Sequence, residues 1–153
     1  MGQGYRDRGN QPPRQAFQRP GDDEIKKIIV AGDVELLVTL ADRVGKTLYE
    51  QRLTTSQIRN VFGTVRQIQM RWPTNPDKAY REAVLLRPKL AYYAEREKKT
   101  KGGGSEGMDT LQQVLEPALK LLAENGKPVQ ERFDRFADLF EAIVAYHKKY
   151  GGK

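Results

Sequence analysis

The amino-acid sequence predicts an all-α protein: a compact irregular bundle of five to seven helices in a single domain. Three observations carry that expectation. Apolar residues recur at steps of three and four through most of the chain. Prolines, glycines and hydroxyl or acidic caps fall between these runs, where helices start and stop. No segment combines strand-type alternation with flanking hairpin turns.

Taken in order, residues 1–21 stand apart. They hold four Arg, three Pro and four Gly and too few apolar side chains for a core, so a disordered basic tail is expected. The bundle then occupies 22–153. A short first helix is predicted over 22–30, where Asp22, Asp23 and Glu24 suit the positive end of the helix dipole and Ile25, Ile28 and Ile29 share a face. Asp33 caps a second helix, ending near Tyr49, with Val34, Leu37, Leu40, Ala41, Val44 and Leu48 on one stripe.

Leu53-Thr54-Thr55-Ser56 supplies a leading hydrophobe and hydroxyl caps for a third helix, whose face is Ile58, Val61, Phe62, Val65, Ile68 and Trp72. Pro73 stops it. The run from Asn75 to Lys101 predicts two helices meeting at Pro88, because proline lacks the amide donor and clashes with the preceding turn. Leu85, Leu90, Ala91 and Tyr93 are its expected core contacts.

A flexible loop is expected near 100–107, where three consecutive glycines leave the backbone little restrained. The next helix is expected over 108–124, kinked at Pro117 and closed by Asn125-Gly126. The last begins at Lys127-Pro128 and carries Phe133, Phe136, Ala137, Phe140, Ile143, Val144 and His147 at helical spacing, ending before Gly151.

Composition narrows the function. The chain has no cysteine, which removes disulfides, thiolate metal sites and a cysteine nucleophile. Its apolar runs fall far short of the roughly 20 residues that span a bilayer, and its first residues carry no signal-type apolar stretch, so a cytoplasmic location is expected. Catalysis has little to work with. The single histidine, His147, lies on the apolar stripe of the last helix, where a partly buried or interface role suits it better than general base. Gly102-Gly103-Gly104 lacks the Lys-Ser or Lys-Thr of an NTPase loop. Asp134 and Asp138 stand one turn apart among Glu131, Arg132 and Arg135, as on a solvated helix face. The chain is expected to be no enzyme and to hold no cofactor or metal.

The charge is more informative. Lys and Arg number 27 against 20 acids, net +7, which favours an anionic partner. Residues 1–101 carry 20 basic and 12 acidic side chains, whereas 102–153 carry 7 and 8, so the anion-facing surface belongs to the first two thirds. Arg52, Arg59 and Arg66 are seven apart, and Arg59, Gly63, Arg66 and Met70 form a stripe rotated away from the third helix's core face. Gly63 implies either helix packing or close approach of a partner, since glycine costs about 1 kcal/mol in a helix interior. Lys78, Arg81, Arg87, Lys89 and Arg96 form a second basic group beside Tyr80, Tyr92 and Tyr93; arginine forks and tyrosine rings suit phosphate bonding and base stacking, the alternatives being a solvated basic surface and tyrosines at the core edge.

Three blocks then resemble a known family. LTTSQIRNVFGTVRQIQ at 53–69, LLRPKLAYYAER at 85–96 and FADLFEAIVAYHKKYGG at 136–152 are similar, in order and spacing, to the small helical Csm-type subunit of type III-A CRISPR interference complexes. The resemblance runs over 22–153 and leaves the tail outside.

It implies a non-catalytic subunit of the RNA-guided antiviral complex, stacked in several copies beside the backbone and large subunits. Such a subunit positions target RNA and the guide–target duplex through sequence-independent phosphate contacts. It implies Arg59, Arg87 and Lys89 as the side chains nearest RNA phosphates. Arg52, Arg66 and Arg96 follow from spacing. Two other readings are a module whose basic face meets an acidic protein and a helical DNA-binding regulator. The regulator would need base-reading side chains at a helix start, where this chain offers only Gln57.

Overall fold

Among the residues the computed structural model describes, 17–98 and 105–153, there are six helices and one minimal hairpin. Helix α1, Asp22–Ile29, buries its three isoleucines and keeps its acids in the first turn. Its exit is unusual in being closed from another element. The guanidinium of Arg135 donates through Nη1 to the carbonyls of Ile29 and Val30, at 3.1 and 3.0 Å, placing a cation on the negative end of the helix dipole. Gly32, at φ +74°, turns the chain directly against that guanidinium.

Asp33 opens α2, Val34–Glu50, by accepting from the amide of Leu36 at 3.1 Å. The expected stripe is buried except for Val34, which is 63% exposed. Gly45 lies within that stripe, where a β-carbon would sit 2.6 Å from Cβ of Tyr146 and 2.8 Å from the amide nitrogen of His147. Glycine here lets two helix backbones approach closely.

Helix α3, Thr55–Arg71, begins with a capping box between Thr54 and Gln57. Ile58, Val61, Val65, Ile68 and the capping Trp72 are buried. Phe62, expected in that core face, stands at its edge and meets the ring of Phe140 at 5.2 Å.

Pro88 does not divide the next segment. Helix α4 runs unbroken over Pro76–Lys98 with Pro88 inside it. Proline removes one hydrogen bond, but Ala79, Ala83, Leu86, Leu90 and Ala94 form a buried stripe whose phase is the same on both sides of Pro88. Packing of that stripe against α5 keeps the two halves in one register. The expected contacts Leu85 and Ala91 are exposed, each one residue and so about 100° off the stripe.

Helix α5, Ser105–Leu119, starts earlier than expected and takes in the end of the predicted loop; residues 99–104 lie outside the described residues. Gly107 is the reason: a β-carbon there would meet Cβ of Leu53 at 2.7 Å, so the helix start is packed against the α2–α3 turn. The helix ends at Leu119, not at 124. Ala123–Glu124 (β1) instead pairs antiparallel with Lys127–Pro128 (β2). Asn125 and Gly126 have φ of 51° and 77°, the two left-handed residues of a tight hairpin turn.

Helix α6, Gln130–Lys149, therefore begins after Pro128 and runs through the middle of the molecule, burying Phe133, Phe136, Ala137, Leu139, Phe140, Ile143 and His147. Trp72 stacks on Phe133 at 5.0 Å. On the expected tail, Pro20 is buried and Phe17 packs against the core beneath Arg43, so the folded part begins before residue 22; residues 1–16 lie outside the described residues.

Candidate nucleic-acid interface

The N-terminal end of α3 and the C-terminal half of α4 meet along a seam held by one glutamine. Gln57 Oε1 accepts from the amide of Thr54 at 2.9 Å, completing the capping box, while its Nε2 donates to Glu97 Oε2 at 3.0 Å. Glu97 is only 9% exposed because it continues the buried stripe of α4. Its other carboxylate oxygen lies 3.6 Å from Arg96 Nη2. Above this seam opens a cleft of about 620 Å³, with Arg59 and Asn60 on the α3 side, Tyr93 and Arg96 on the α4 side, and Val61 and Met108 among its apolar lining.

The structure thus brings Arg59 and Arg96 to one cleft. Arg59 is exposed and has no ion pair or hydrogen bond with another described residue. Arg96 lays its guanidinium over the rings of Tyr92 and Tyr93, at 5.8 and 5.2 Å from their centroids. These ring contacts and the ion pair with Glu97 hold the guanidinium in place beside the cleft.

The other expected contacts scatter. Arg66 is about 10 Å along α3 from Arg59, but its charge is already answered: Nη1 donates to Gln69 at 3.0 Å and Nη2 lies 3.4 Å from Glu141. It faces the acidic side of α6, where burial, then Glu141 and Asp134, raise the carboxyl of Asp138 above its ordinary range while Arg66 pulls it down. Arg52 sits in the α2–α3 turn at φ +64° and is exposed.

Arg87 and Lys89 separate. Two residues on an unbroken helix are about 200° apart, so these side chains leave opposite sides of α4 and do not share one phosphate. Arg87 is half-buried, with a buried Nε that has no hydrogen-bond partner; Lys89 is exposed and falls within about 20° of Arg96 around α4. Glu97, Asn60 and Ser56 line the cleft without having been singled out. For Glu97 the signal existed: it extends the three- and four-residue spacing of Ala83, Leu86, Leu90 and Ala94.

Gly63 resolves one alternative. A β-carbon there would meet nothing within 4 Å, so packing within this chain does not account for the glycine.

The family model described as Csm2 Type III-A matches residues 31–153, about four fifths of the chain. The chain belongs to that family. No curated protein and no solved structure matches it. As a Csm2-family protein it is a small subunit of the type III-A CRISPR complex, alongside that complex's other Csm subunits. The match takes in every helix from α2 to α6 and both sides of the cleft, and begins just after α1. No helix of the described residues is long and apolar enough to cross a membrane.

Proposed function

We propose that this Csm2-family chain is a non-catalytic RNA-positioning subunit, working in the cytoplasm in antiviral defence. It stacks in several copies beside the backbone and large subunits. Target RNA and the guide–target duplex are held by phosphate contacts that ignore sequence, because base pairing with the guide does the reading.

The observation that carries this reading is the set of cations around the α3–α4 seam: Arg59 and Lys89 exposed without partners among the described residues, and Arg96 held on two tyrosines. Arg59 and Lys89, left unanswered on the folded surface, are suited to an anionic partner. Arg52 joins them from the neighbouring turn. Arg66, bonded to Glu141, and Arg87, on the far side of α4, are weaker members of the set.

The test is fluorescence-anisotropy binding of a single-stranded RNA about as long as a CRISPR target, over a series of salt concentrations. Wild type is compared with Arg59→Ala/Lys89→Ala and, separately, with Arg87→Ala. Salt-sensitive binding that weakens in the double variant, with the helical circular-dichroism signal intact, supports the reading. Equal binding by wild type and double variant removes these residues from the site. No RNA binding by any of the proteins gives the basic face to an acidic protein surface instead.

A further inference from the structure

We infer that the α3–α4 cleft seats one unstacked nucleotide of single-stranded RNA, its base directed inward and its phosphate held at the Arg59 rim. This rests on the RNA-positioning function proposed above and adds to it a contact that phosphates alone do not make.

The orientation follows from Glu97. Its carboxylate lies at the inner side of the cleft, only 9% exposed and fixed by Gln57. A phosphate entering there would have to compete with Glu97 for Arg96, which the carboxylate already holds at 3.6 Å, and would meet that like charge in partly buried surroundings. Arg59 stands on the α3 side of the cleft and is exposed and unpaired. An RNA strand therefore gains most by leaving its charge beside Arg59 and sending inward the part that has none.

What lies inward suits a base. Val61 and Met108 are each 3% exposed and give the cleft an apolar lining. The ring of Tyr93 and the guanidinium plane of Arg96 stacked on it offer flat surfaces of the kind on which unpaired bases stack. The Asn60 side chain, exposed on the α3 side, carries both a donor and an acceptor and so can meet the edge of any of the four bases. That tolerance agrees with a subunit that does not read sequence. The volume, about 620 Å³, lies within the range of small-ligand sites. A paired, stacked base has no route into such a cleft, so this contact belongs to unpaired nucleotides.

The experiment compares a single-stranded RNA with an abasic RNA of the same length and charge, by anisotropy at one salt concentration and over a salt series. Wild type should bind the abasic strand about fivefold or more weakly, in keeping with base–aromatic stacking, with the same log–log salt slope for both strands. Ser56→Trp, a substitution at an exposed position lining the cleft, fills it without changing charge. It should bind the two strands equally and keep the salt slope. Asn60→Trp serves the same purpose should the first variant lose its helical signal. Equal binding of the two strands by wild type overturns the nucleotide site and leaves the phosphate contacts standing. Failure of both strands to bind overturns the RNA function and this site together.

Discussion

His147 Nε2 lies 2.6 Å from the backbone carbonyl oxygen of Leu53. The carbonyl only accepts, so Nε2 carries the proton, and α6 is thereby tied to the turn that presents Arg52. The imidazole is 1% exposed, and Gly152 folds over it so closely that a β-carbon there would stand 2.1 Å from Cε1. His147→Ala should lower stability by about 2–4 kcal/mol, from a cavity plus an unsatisfied buried carbonyl. Urea denaturation checks this. His147→Gln, whose amide can donate along a similar path, should recover part of the loss, whereas His147→Leu should not.

The two interior helix glycines make opposite predictions. Gly45→Ala forces a methyl against Tyr146 and the His147 backbone at 2.6–2.8 Å, so it should destabilise by about 1–3 kcal/mol. Gly63→Ala meets open space and should stabilise the isolated chain by about 0.5–1 kcal/mol. Thermal melts of the two variants should move in opposite directions. A fall in melting temperature for Gly63→Ala would mean that its surroundings are tighter than open solvent.

Arg135 tests whether α1 is held by its capped exit. Its two bonds to the Ile29 and Val30 carbonyls are charge-assisted, the one to Ile29 partly buried, while its ion pair with Glu131 is exposed on the Glu131 side. Arg135→Met keeps the aliphatic stem and should cost about 1.5–3 kcal/mol. Glu131→Gln should cost well under 1 kcal/mol. Amide hydrogen exchange in residues 25–30 should speed up in Arg135→Met and remain unchanged in Glu131→Gln.

The helical stripes were readable because burial against one neighbour writes a three- and four-residue period into the sequence, as from Leu37 to Leu48. Proline's local cost predicts a break at Pro88, but Ala79, Ala83 and Ala94, whose small side chains carry little hydrophobic signal, fix the packing phase of α4 across it. The separation of Arg87 from Lys89 follows from the same continuity of the helix. With a break at Pro88 the rotation between them is undefined; on one helix it is about 200°. The Asn125-Gly126 hairpin has two-residue strands, too short for any alternation. The cleft depends on a seam between α3 and α4, which spacing within either helix does not encode.

Asp138 gives a pH prediction. Burial, with Glu141 and Asp134 nearby, raises its carboxyl above the ordinary range, so the folded chain binds this proton more tightly than the unfolded chain does. Stability falls as pH rises from the ordinary carboxylate range through the raised value, and the full cost is present at neutral pH. Asp138→Asn should therefore raise stability at pH 7, by about 0.5 kcal/mol or less for so exposed a site. The gain should disappear below the ordinary carboxylate range, where both forms are neutral. Thermal melts of the two proteins across pH 3–7 check the convergence; a gain that persists undiminished at pH 3 would assign the effect to packing.

Arg59 and Arg66 separate geometry from net charge in RNA binding. Each removes one positive charge when changed to alanine, so a purely global charge effect predicts equal losses. Local contact predicts a difference, because Arg66 already bonds Gln69 and Glu141 whereas Arg59 has no partner among the described residues. A phosphate at Arg66 must displace or share an existing carboxylate, which cancels much of the gain. Arg59→Ala should accordingly flatten the log–log salt dependence by about 0.7, the value expected for one lost single-strand phosphate contact. Arg66→Ala should leave the slope nearly unchanged and show instead a small loss of stability from its half-exposed ion pair. Equal changes of slope for both variants would instead assign the effect to net charge and remove the local contact at Arg59.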